Sequence, residues 1–212
     1  MPKVKAVIFD LDGVLISTDH YHYEAWKKVT NNLNIAFDEQ VNHRLRGVSR
    51  LESLNIILEQ EDVQLSESEK QLLAEEKNRY YVQSLQKLNK EIVDQRVIVT
   101  LTKLKERGFK LAIGSSSKNA QYILDRLKLT SFFDAISDGN NITQSKPNPE
   151  VFLKAAEYIV EDPGNCIVIE DALTGVRAAK SAGMACVAIG HAALTDEADY
   201  QIETIDEILD II

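Results

Sequence analysis

Two aspartates separated by one residue follow at once on an apolar run in Ala6-Val7-Ile8-Phe9-Asp10-Leu11-Asp12-Gly13. Carboxylates leaving the end of a buried strand can attack an electrophile, move a proton or hold a hard cation. Gly13 lets the chain turn away sharply behind them. Acids crowded so close to apolar residues are unfavourable unless a cation balances them. A calcium loop starting at Asp10 would need an acid or Asn at 14, Gly at 15 and Glu at 21, where this chain has Val14, Leu15 and Tyr21.

Three further segments carry polar chemistry at the ends of apolar runs. Leu111-Ala-Ile-Gly-Ser115-Ser116-Ser117-Lys118-Asn119 ends in hydroxyls and opens a helical pattern. Such a turn can hold a phosphate on hydroxyls and free N–H groups, or can merely cap the helix. It is neither a Walker loop nor a serine-hydrolase elbow, since the GK[ST] ending of the first and the closing glycine of the second are missing. Ser145-Lys146-Pro147-Asn148-Pro149 sets one lysine beside two rigid prolines and just before a helix, either as a solvated loop charge or as a charge aimed at a phosphoryl oxygen. Val168-Ile169-Glu170-Asp171-Ala172 repeats the acidic strand end, and with Asp10 it supplies carboxylates enough for one Mg²⁺.

The elements that must position these residues can be read from periodicity. Short apolar runs at Val4–Phe9, Leu111–Ile113, Ala135–Ile136, Cys166–Ile169 and Cys186–Ile189 are mostly separated by segments of helical period. That alternation predicts a Rossmann-like, doubly wound parallel sheet, because parallel strands buried on both faces need helical crossovers. Helices are predicted over Arg96–Arg107, after Asn148-Pro149, over Leu173–Ala182 and behind the capping box Thr204-Ile-Asp-Glu207. The stretch 16–92 has no convincing strand. It reads as helices near Asp19–Leu33 and after Asp38, then two opened by the capping boxes Ser49-Arg-Leu-Glu52 and Ser66-Glu-Ser-Glu69. An all-helical cap over 16–92, inserted into an α/β core made of 1–15 and 93–212, is therefore expected, with joints near Val14–Ser17 and Ile92–Arg96.

Charge and composition narrow the function classes. With 24 Lys and Arg against 33 Asp and Glu, the net charge is −9, which opposes binding to nucleic acid or an acidic membrane. The apolar runs are short and broken by acids, so neither a membrane span nor a signal-peptide core is expected, and a cytoplasmic location is. Cys166 and Cys186 sit in apolar runs without CxxC spacing and read as buried reduced thiols.

Taken together and in this order, Asp10-Leu-Asp-Gly, Ser115, Lys146 and Glu170-Asp171 resemble the four signature motifs of the haloacid dehalogenase superfamily of phosphohydrolases and phosphomutases. The resemblance implies that Asp10 is a nucleophile forming an aspartyl phosphate and that Asp12 is the general acid and base. It implies that Ser115 and Lys146 complete the catalytic set, and that Asp10, Asp12, Glu170 and Asp171 hold Mg²⁺. Physical chemistry agrees with those roles, since a carboxylate attacks a phosphoryl group only after the negative charge of both is offset.

Within the superfamily, Thr18-Asp-His-Tyr-His22-Tyr-Glu-Ala-Trp26, Leu45-Arg46-Gly47-Val48-Ser49-Arg50 and Lys77-Asn78 resemble the cap of the β-phosphoglucomutase family, and the run Ser115–Asn119 does too. The resemblance implies interconversion of β-D-glucose 1-phosphate and glucose 6-phosphate through a bisphosphate. Thr18 and His22 would control Asp12, while Arg50, Ser117, Lys118 and Asn119 would hold the phosphate that is not reacting. Arg46, Gly47, Val48 and Lys77 would line the sugar site, and Ser49, Ser115 and Ser116 would also contact the substrate. Trp26 is either a sugar platform or cap core, and Lys77 and His22 have solvated-surface readings beside the functional ones. Departures are Ser17 in place of the family's common Asp, Arg46 for the usual lysine, and Gln95-Arg96 for a common Pro-Gly. A sugar-phosphate phosphatase is the alternative within the fold, and a non-catalytic sugar-phosphate sensor the alternative outside catalysis. The expected partners are small-molecule hexose phosphates, and the chain is expected to act as a monomer.

Overall fold

The computed structural model describes residues 4–59, 61 and 63–212. Residues 1–3 of the expected core segment, and 60 and 62 of the expected cap, lie outside it. In chain order the elements are β1 (Ala6–Phe9), α1 (Asp19–Asn32), α2 (Glu39–Arg44), α3 (Arg50–Leu58), α4 (Glu67–Leu85), α5 (Gln95–Glu106), β2 (Lys110–Gly114), α6 (Ala120–Leu127), β3 (Ala135–Ser137), α7 (Glu150–Tyr158), β4 (Cys166–Glu170), α8 (Leu173–Ser181), β5 (Ala185–Ile189), β6 (Tyr200–Ile202) and α9 (Ile208–Ile211). No helix among the described residues is long and apolar enough to cross a membrane.

The strands form one six-stranded sheet in the order β3-β2-β1-β4-β5-β6, with every pairing parallel. Alternate residues of β1–β5 feed two cores. Val7, Phe9, Leu111, Ile113, Ile167, Ile169 and Val187 pack with Val97, Leu101 and Leu104 of α5, Ile123, Leu124 and Leu127 of α6, and Ile208 of α9. Ala6, Ile8, Ala112, Val168, Cys186 and Ala188 pack on the opposite face with α7 and α8 through Phe152, Ala155, Val176 and Ala179. Burial on both faces is why these strands read as unbroken apolar runs. It also seals Cys166 and Cys186 as buried free thiols.

The register fixes where the polar residues emerge. Phe9 pairs with Ile113 on one side and with Ile169 on the other, so Asp10, Gly114 and Glu170 leave the sheet at one level. The neighbours of β1 are a later strand on each side, which makes its carboxyl end the switch point where open α/β sheets form a crevice. The Asp10 N–H still donates to Ile169 O at 3.0 Å, and the Ser115 N–H to Ser137 O at 3.0 Å. Both residues are thus anchored by the sheet ladder.

Helices α1–α4 lie between β1 and α5, and none of the described residues from 17 to 94 belongs to a strand. Trp26, Val29, Ile35, Phe37, Leu45, Leu54, Ile57 and Leu58 form a third, separate core there. Ser66 and Glu69 make both bonds of a capping box, and Thr204 and Glu207 do the same ahead of α9. The Ser49 box is half made: Ser49 Oγ accepts from Glu52 N at 3.3 Å, with no return bond among the described residues. The cap falls one residue later than the sequence predicts: Pro149 takes the N-cap position and α7 starts at Glu150, whose N–H donates to Asn148 Oδ1 at 3.0 Å. At the second joint Asp94 caps α5 through Arg96 N at 2.8 Å and binds the Arg96 guanidinium at 2.6 Å. Gln95-Arg96 therefore begins a helix at this joint.

Strand β6 is absent from the sequence reading. It is a three-residue edge strand in which only Ile202 is buried, so it carries no apolar run. Its neighbour β5 is fixed to the preceding loop by Asp199, whose Oδ2 accepts from Cys186 N at 2.8 Å while its N–H donates to Cys186 O at 2.9 Å.

Candidate active site

A cavity of about 560 Å³ lies between the carboxyl ends of the strands and the helices α1–α4. Its floor includes Asp10, Ser115 and Asp171, which follow or sit at the ends of β1, β2 and β4, with Lys146 and Glu170 behind them. Lys146, fully buried, donates to Asp10 Oδ1 at 2.5 Å and to Glu170 Oε1 at 2.6 Å. The other Glu170 oxygen accepts from Ala172 N at 2.8 Å. Burial opposes the Lys146 charge, but its two carboxylate partners outweigh that and raise its pKa. Burial pushes the Asp10 carboxyl above the ordinary range, with Lys146 pulling it down and Glu170 pushing it up. Asp171 is raised as well, by burial first and then by the charges of Glu170 and Asp10.

Oxygens of Asp10, Glu170 and Asp171 lie within 4.8 Å of one another. Three acids facing one lysine leave negative charge to be offset, and an all-oxygen donor set suits a hard divalent cation such as Mg²⁺. Two glycines make the arrangement possible. A Cβ on Gly175 in α8 would stand 1.8 Å from Glu170 Oε1, and one on Gly13 would stand 2.0 Å from Asp171 Oδ2, where φ is also +83°. Only glycine lets both backbones approach the acids so closely.

Asp12, also expected among the metal ligands, stands apart from that cluster because its side chain turns toward the cap. Its Oδ1 accepts from Thr18 N at 3.2 Å and from the Thr18 hydroxyl, and its Oδ2 faces His22 Nε2 at 3.8 Å. Burial raises the Asp12 pKa, but the His22 and Thr18 interactions win and hold it low. Lys77 Nζ meets His22 Nδ1 at 2.7 Å. An ammonium donating there leaves the His22 proton on Nε2, aimed at Asp12. Burial and then the Lys77 charge lower the His22 pKa.

Lys77 is not on a solvated face. It is 2% exposed, lies 4.6 Å from the centre of the Tyr81 ring and 5.3 Å from that of Trp26, and is held well below the usual lysine range by burial and by Arg50. Trp26 belongs to the cap core and reaches the cavity wall under this lysine. Tyr81 escaped the sequence reading. Its hydroxyl shares a 2.8 Å hydrogen bond with Thr18 Oγ1 and its ring lies 4.1 Å from that of His22. The available signal was spacing, since Tyr81 is four residues beyond Lys77 and shares its helix face.

Arg46, Gly47, Val48, Ser49 and Arg50 line the cavity from the cap, and Ser115, Ser116, Ser117, Lys118 and Asn119 line it from the core. The serine turn is partly self-bonded: Ser115 Oγ accepts from Ser117 N and Ser117 Oγ from Asn119 N, both at 3.2 Å. Bonds across the divide include Ser116 Oγ to Gly47 O at 3.0 Å, Thr174 Oγ1 to Arg46 O at 3.3 Å and Asn119 Nδ2 to Asn78 Oδ1 at 2.9 Å. Arg50 makes no ion pair among the described residues, and burial lowers its pKa. The site brings together a carboxylate held by a lysine, a second carboxylate wired to a histidine, an oxygen cluster fit for a cation, and free positive charge. That set can perform phosphoryl transfer.

Comparison with known proteins agrees with this chemistry. The chain is 42% identical to the β-phosphoglucomutase of Bacillus subtilis over 190 residues, spanning 89% of this chain and 84% of that one. It is 34% identical to a phosphorylated carbohydrates phosphatase of Thermotoga maritima, over 85% of this chain and 82% of that one. The crystal structure of a β-phosphoglucomutase from Clostridium difficile superposes with a TM-score of 0.91 at 37% identity, covering 97% of this chain and 93% of that one. Residues 4–183 match the haloacid dehalogenase-like hydrolase family, and the chain belongs to it.

Proposed function

We propose that the protein is a Mg²⁺-dependent phosphomutase that interconverts β-D-glucose 1-phosphate and glucose 6-phosphate through an aspartyl phosphate and glucose 1,6-bisphosphate. The observation that carries this reading is a cavity whose wall offers cations of its own, apart from the Asp10–Lys146 pair at its floor. Lys146 supports Asp10 at the floor, while Arg50, Lys77 and Lys118 line the wall with no carboxylate within 4.0 Å among the described residues. A bisphosphate needs both, whereas a monophosphate hydrolase needs only the first.

In this reading an oxygen of Asp10 attacks phosphorus in line, the bond from phosphorus to the sugar oxygen breaks, and Asp12 delivers to that oxygen the proton it took from the sugar hydroxyl in the other half of the cycle. In the reverse transfer Asp12 takes the proton from the accepting sugar hydroxyl as its oxygen displaces Asp10. Thr18, Tyr81 and the His22–Lys77 pair set the orientation of Asp12 for both halves. Asp10, Glu170 and Asp171 would hold the Mg²⁺, which supplies charge to the phosphoryl oxygens when bound. Cap residues exclude water, which favours transfer to sugar over hydrolysis.

The Thermotoga relative keeps a second reading in play, a sugar-phosphate phosphatase in which water accepts the phosphoryl group. One assay separates the two. The protein is incubated with Mg²⁺, β-glucose 1-phosphate and a trace of glucose 1,6-bisphosphate, and glucose 6-phosphate and inorganic phosphate are followed together. Glucose 6-phosphate formed well in excess of phosphate is the mutase result. Phosphate released in step with substrate loss, without glucose 6-phosphate, overturns it.

A further inference from the structure

Among the described residues, four Arg and Lys side chains line the cavity, and one of them is unlike the rest. Arg46 Nη2 donates to Asp19 Oδ2 at 2.9 Å, whereas Arg50, Lys77 and Lys118 have no carboxylate within 4.0 Å among the described residues. Asp19 Oδ1 in turn accepts from Nδ2 of the buried Asn42 at 3.0 Å. Asp19 and Asn42 also line the cavity. The carboxylate, at the first position of α1, is therefore gripped from α2 and from the loop that follows it.

Two consequences follow from that pairing. The charges of Arg46 and Asp19 cancel, so this part of the wall offers little to a phosphate, and the Asp19 carboxylate repels one. A carboxylate accepts about four hydrogen bonds and a guanidinium donates about five. Asn42 and Arg46 take up only part of that capacity, so acceptors and donors stand side by side and pre-positioned. A hydroxyl is both donor and acceptor, and it is the group that such a pair recognises. Arg46 and Arg50 lie in one short cap segment, yet the first is compensated and the second is not.

We propose that Asp19, held by Asn42 and Arg46, is a specificity-determining residue that receives sugar hydroxyls and orients the unphosphorylated part of the ligand in the cavity. This rests on the reading of the site as one for sugar phosphates.

The test compares Asp19→Ala, Asp19→Asn and Arg46→Lys with the wild type in the full chain with Mg²⁺. For each protein, kcat/KM is measured for β-glucose 1-phosphate and for its C2 and C4 epimers, and each value is divided by that for acetyl phosphate hydrolysis by the same preparation. Loss of a hydrogen bond to a charged group predicts that Asp19→Ala lowers the glucose ratio by about 10- to 100-fold. Preference for glucose over at least one epimer shrinks by about fivefold or more, because an undirected pocket discriminates poorly. Asp19→Asn, which keeps the shape but turns a donor on its two donor neighbours, falls between, and it carries the test should Asp19→Ala fail to fold. An unchanged epimer preference in the Asp19 variants overturns the proposal, as does a glucose ratio unmoved from wild type. The ratios can be read from phosphate release as well as from isomerisation. A wild type that only hydrolyses sugar phosphates therefore refutes the mutase reading and leaves this proposal to stand or fall on epimer preference. A wild type with no preference among sugar phosphates overturns it outright.

Discussion

Gly175→Ala sets two effects of opposite sign against each other. By helix propensity alone, alanine in the first turn of α8 stabilises the fold by about 0.5–1 kcal/mol. The site geometry predicts the reverse. The new Cβ would stand 1.8 Å from Glu170 Oε1, while ordinary contact begins at 3.4 Å, so that oxygen must withdraw by about 1.6 Å. Oε1 is the acceptor for Lys146 at 2.6 Å, and a movement of this size breaks that bond. A hydrogen bond to a charged group contributes about 1.5–3 kcal/mol. Subtracting the propensity gain leaves a net loss of about 0.5–2.5 kcal/mol. The same shift pulls one carboxylate out of the oxygen cluster, and disturbing a metal ligand's support lowers metal affinity by about 10- to 100-fold. Urea unfolding in EDTA reads the first effect, and the Mg²⁺ dependence of acetyl phosphate hydrolysis reads the second. Adding Glu170→Asp in the Gly175→Ala background shortens the acid by one methylene and should restore part of the Mg²⁺ affinity. A Gly175→Ala protein at least as stable as wild type, with unchanged Mg²⁺ dependence, would refute the collision.

Asp12→Asn is expected to slow transfer to and from sugar hydroxyls by about 10²–10⁴-fold, with a smaller loss for acetyl phosphate, whose leaving group needs no proton; equal losses in the two assays count against Asp12 as the proton carrier. Arg50→Ala is expected to lower the ratio of bisphosphate-dependent mutase turnover to acetyl phosphate hydrolysis by about tenfold or more, with Arg50→Lys recovering only part, since a point charge cannot reproduce a bidentate guanidinium grip; an unchanged ratio places the second anion partner elsewhere. Tyr81→Phe removes the hydroxyl that meets Thr18 at 2.8 Å and should lower kcat by about 2- to 10-fold, the worth of one buried neutral hydrogen bond, with little change in KM. Asp199 carries the pH prediction: burial raises its pKa, but Lys180 and the Cys186 amide overcome that and hold it below the ordinary 3.8. A lowered folded pKa means the stabilisation is present above the ordinary aspartate range and is lost as pH falls through the folded value. Urea midpoints should therefore show Asp199→Asn less stable than wild type at pH 7, with the gap closing as pH falls below about 4.

The motifs and most elements were legible because they are local. An apolar run ahead of Asp10, a glycine behind Asp12, and capping pairs such as Ser66 with Glu69 involve residues within a few positions of one another, and backbone hydrogen bonding and burial at that range are set by neighbours in the chain. Strand β6 escaped because an edge strand with one buried residue leaves no apolar run to read. What only the tertiary structure decided is which charge meets which. The distance from Tyr81 to Thr18 is 63 residues along the chain, that from Lys77 to His22 is 55, and that from Arg46 to Asp19 is 27. Periodicity marks Lys77 as part of a charged helix, yet it is buried against two aromatic rings and a histidine. Asp12 stands two residues from Asp10 in a strand-end motif, yet its carboxylate turns to the cap while that of Asp10 turns to Lys146. A side chain's partner depends on how α1, α2 and α4 pack on one another and over the sheet, and that packing sums many weak contacts between residues far apart in sequence. Residue types at strand ends therefore announce a phosphoryl-transfer site, while the pairing that compensates Arg46 and leaves Arg50 with no carboxylate partner among the described residues arises only when the helices are in place.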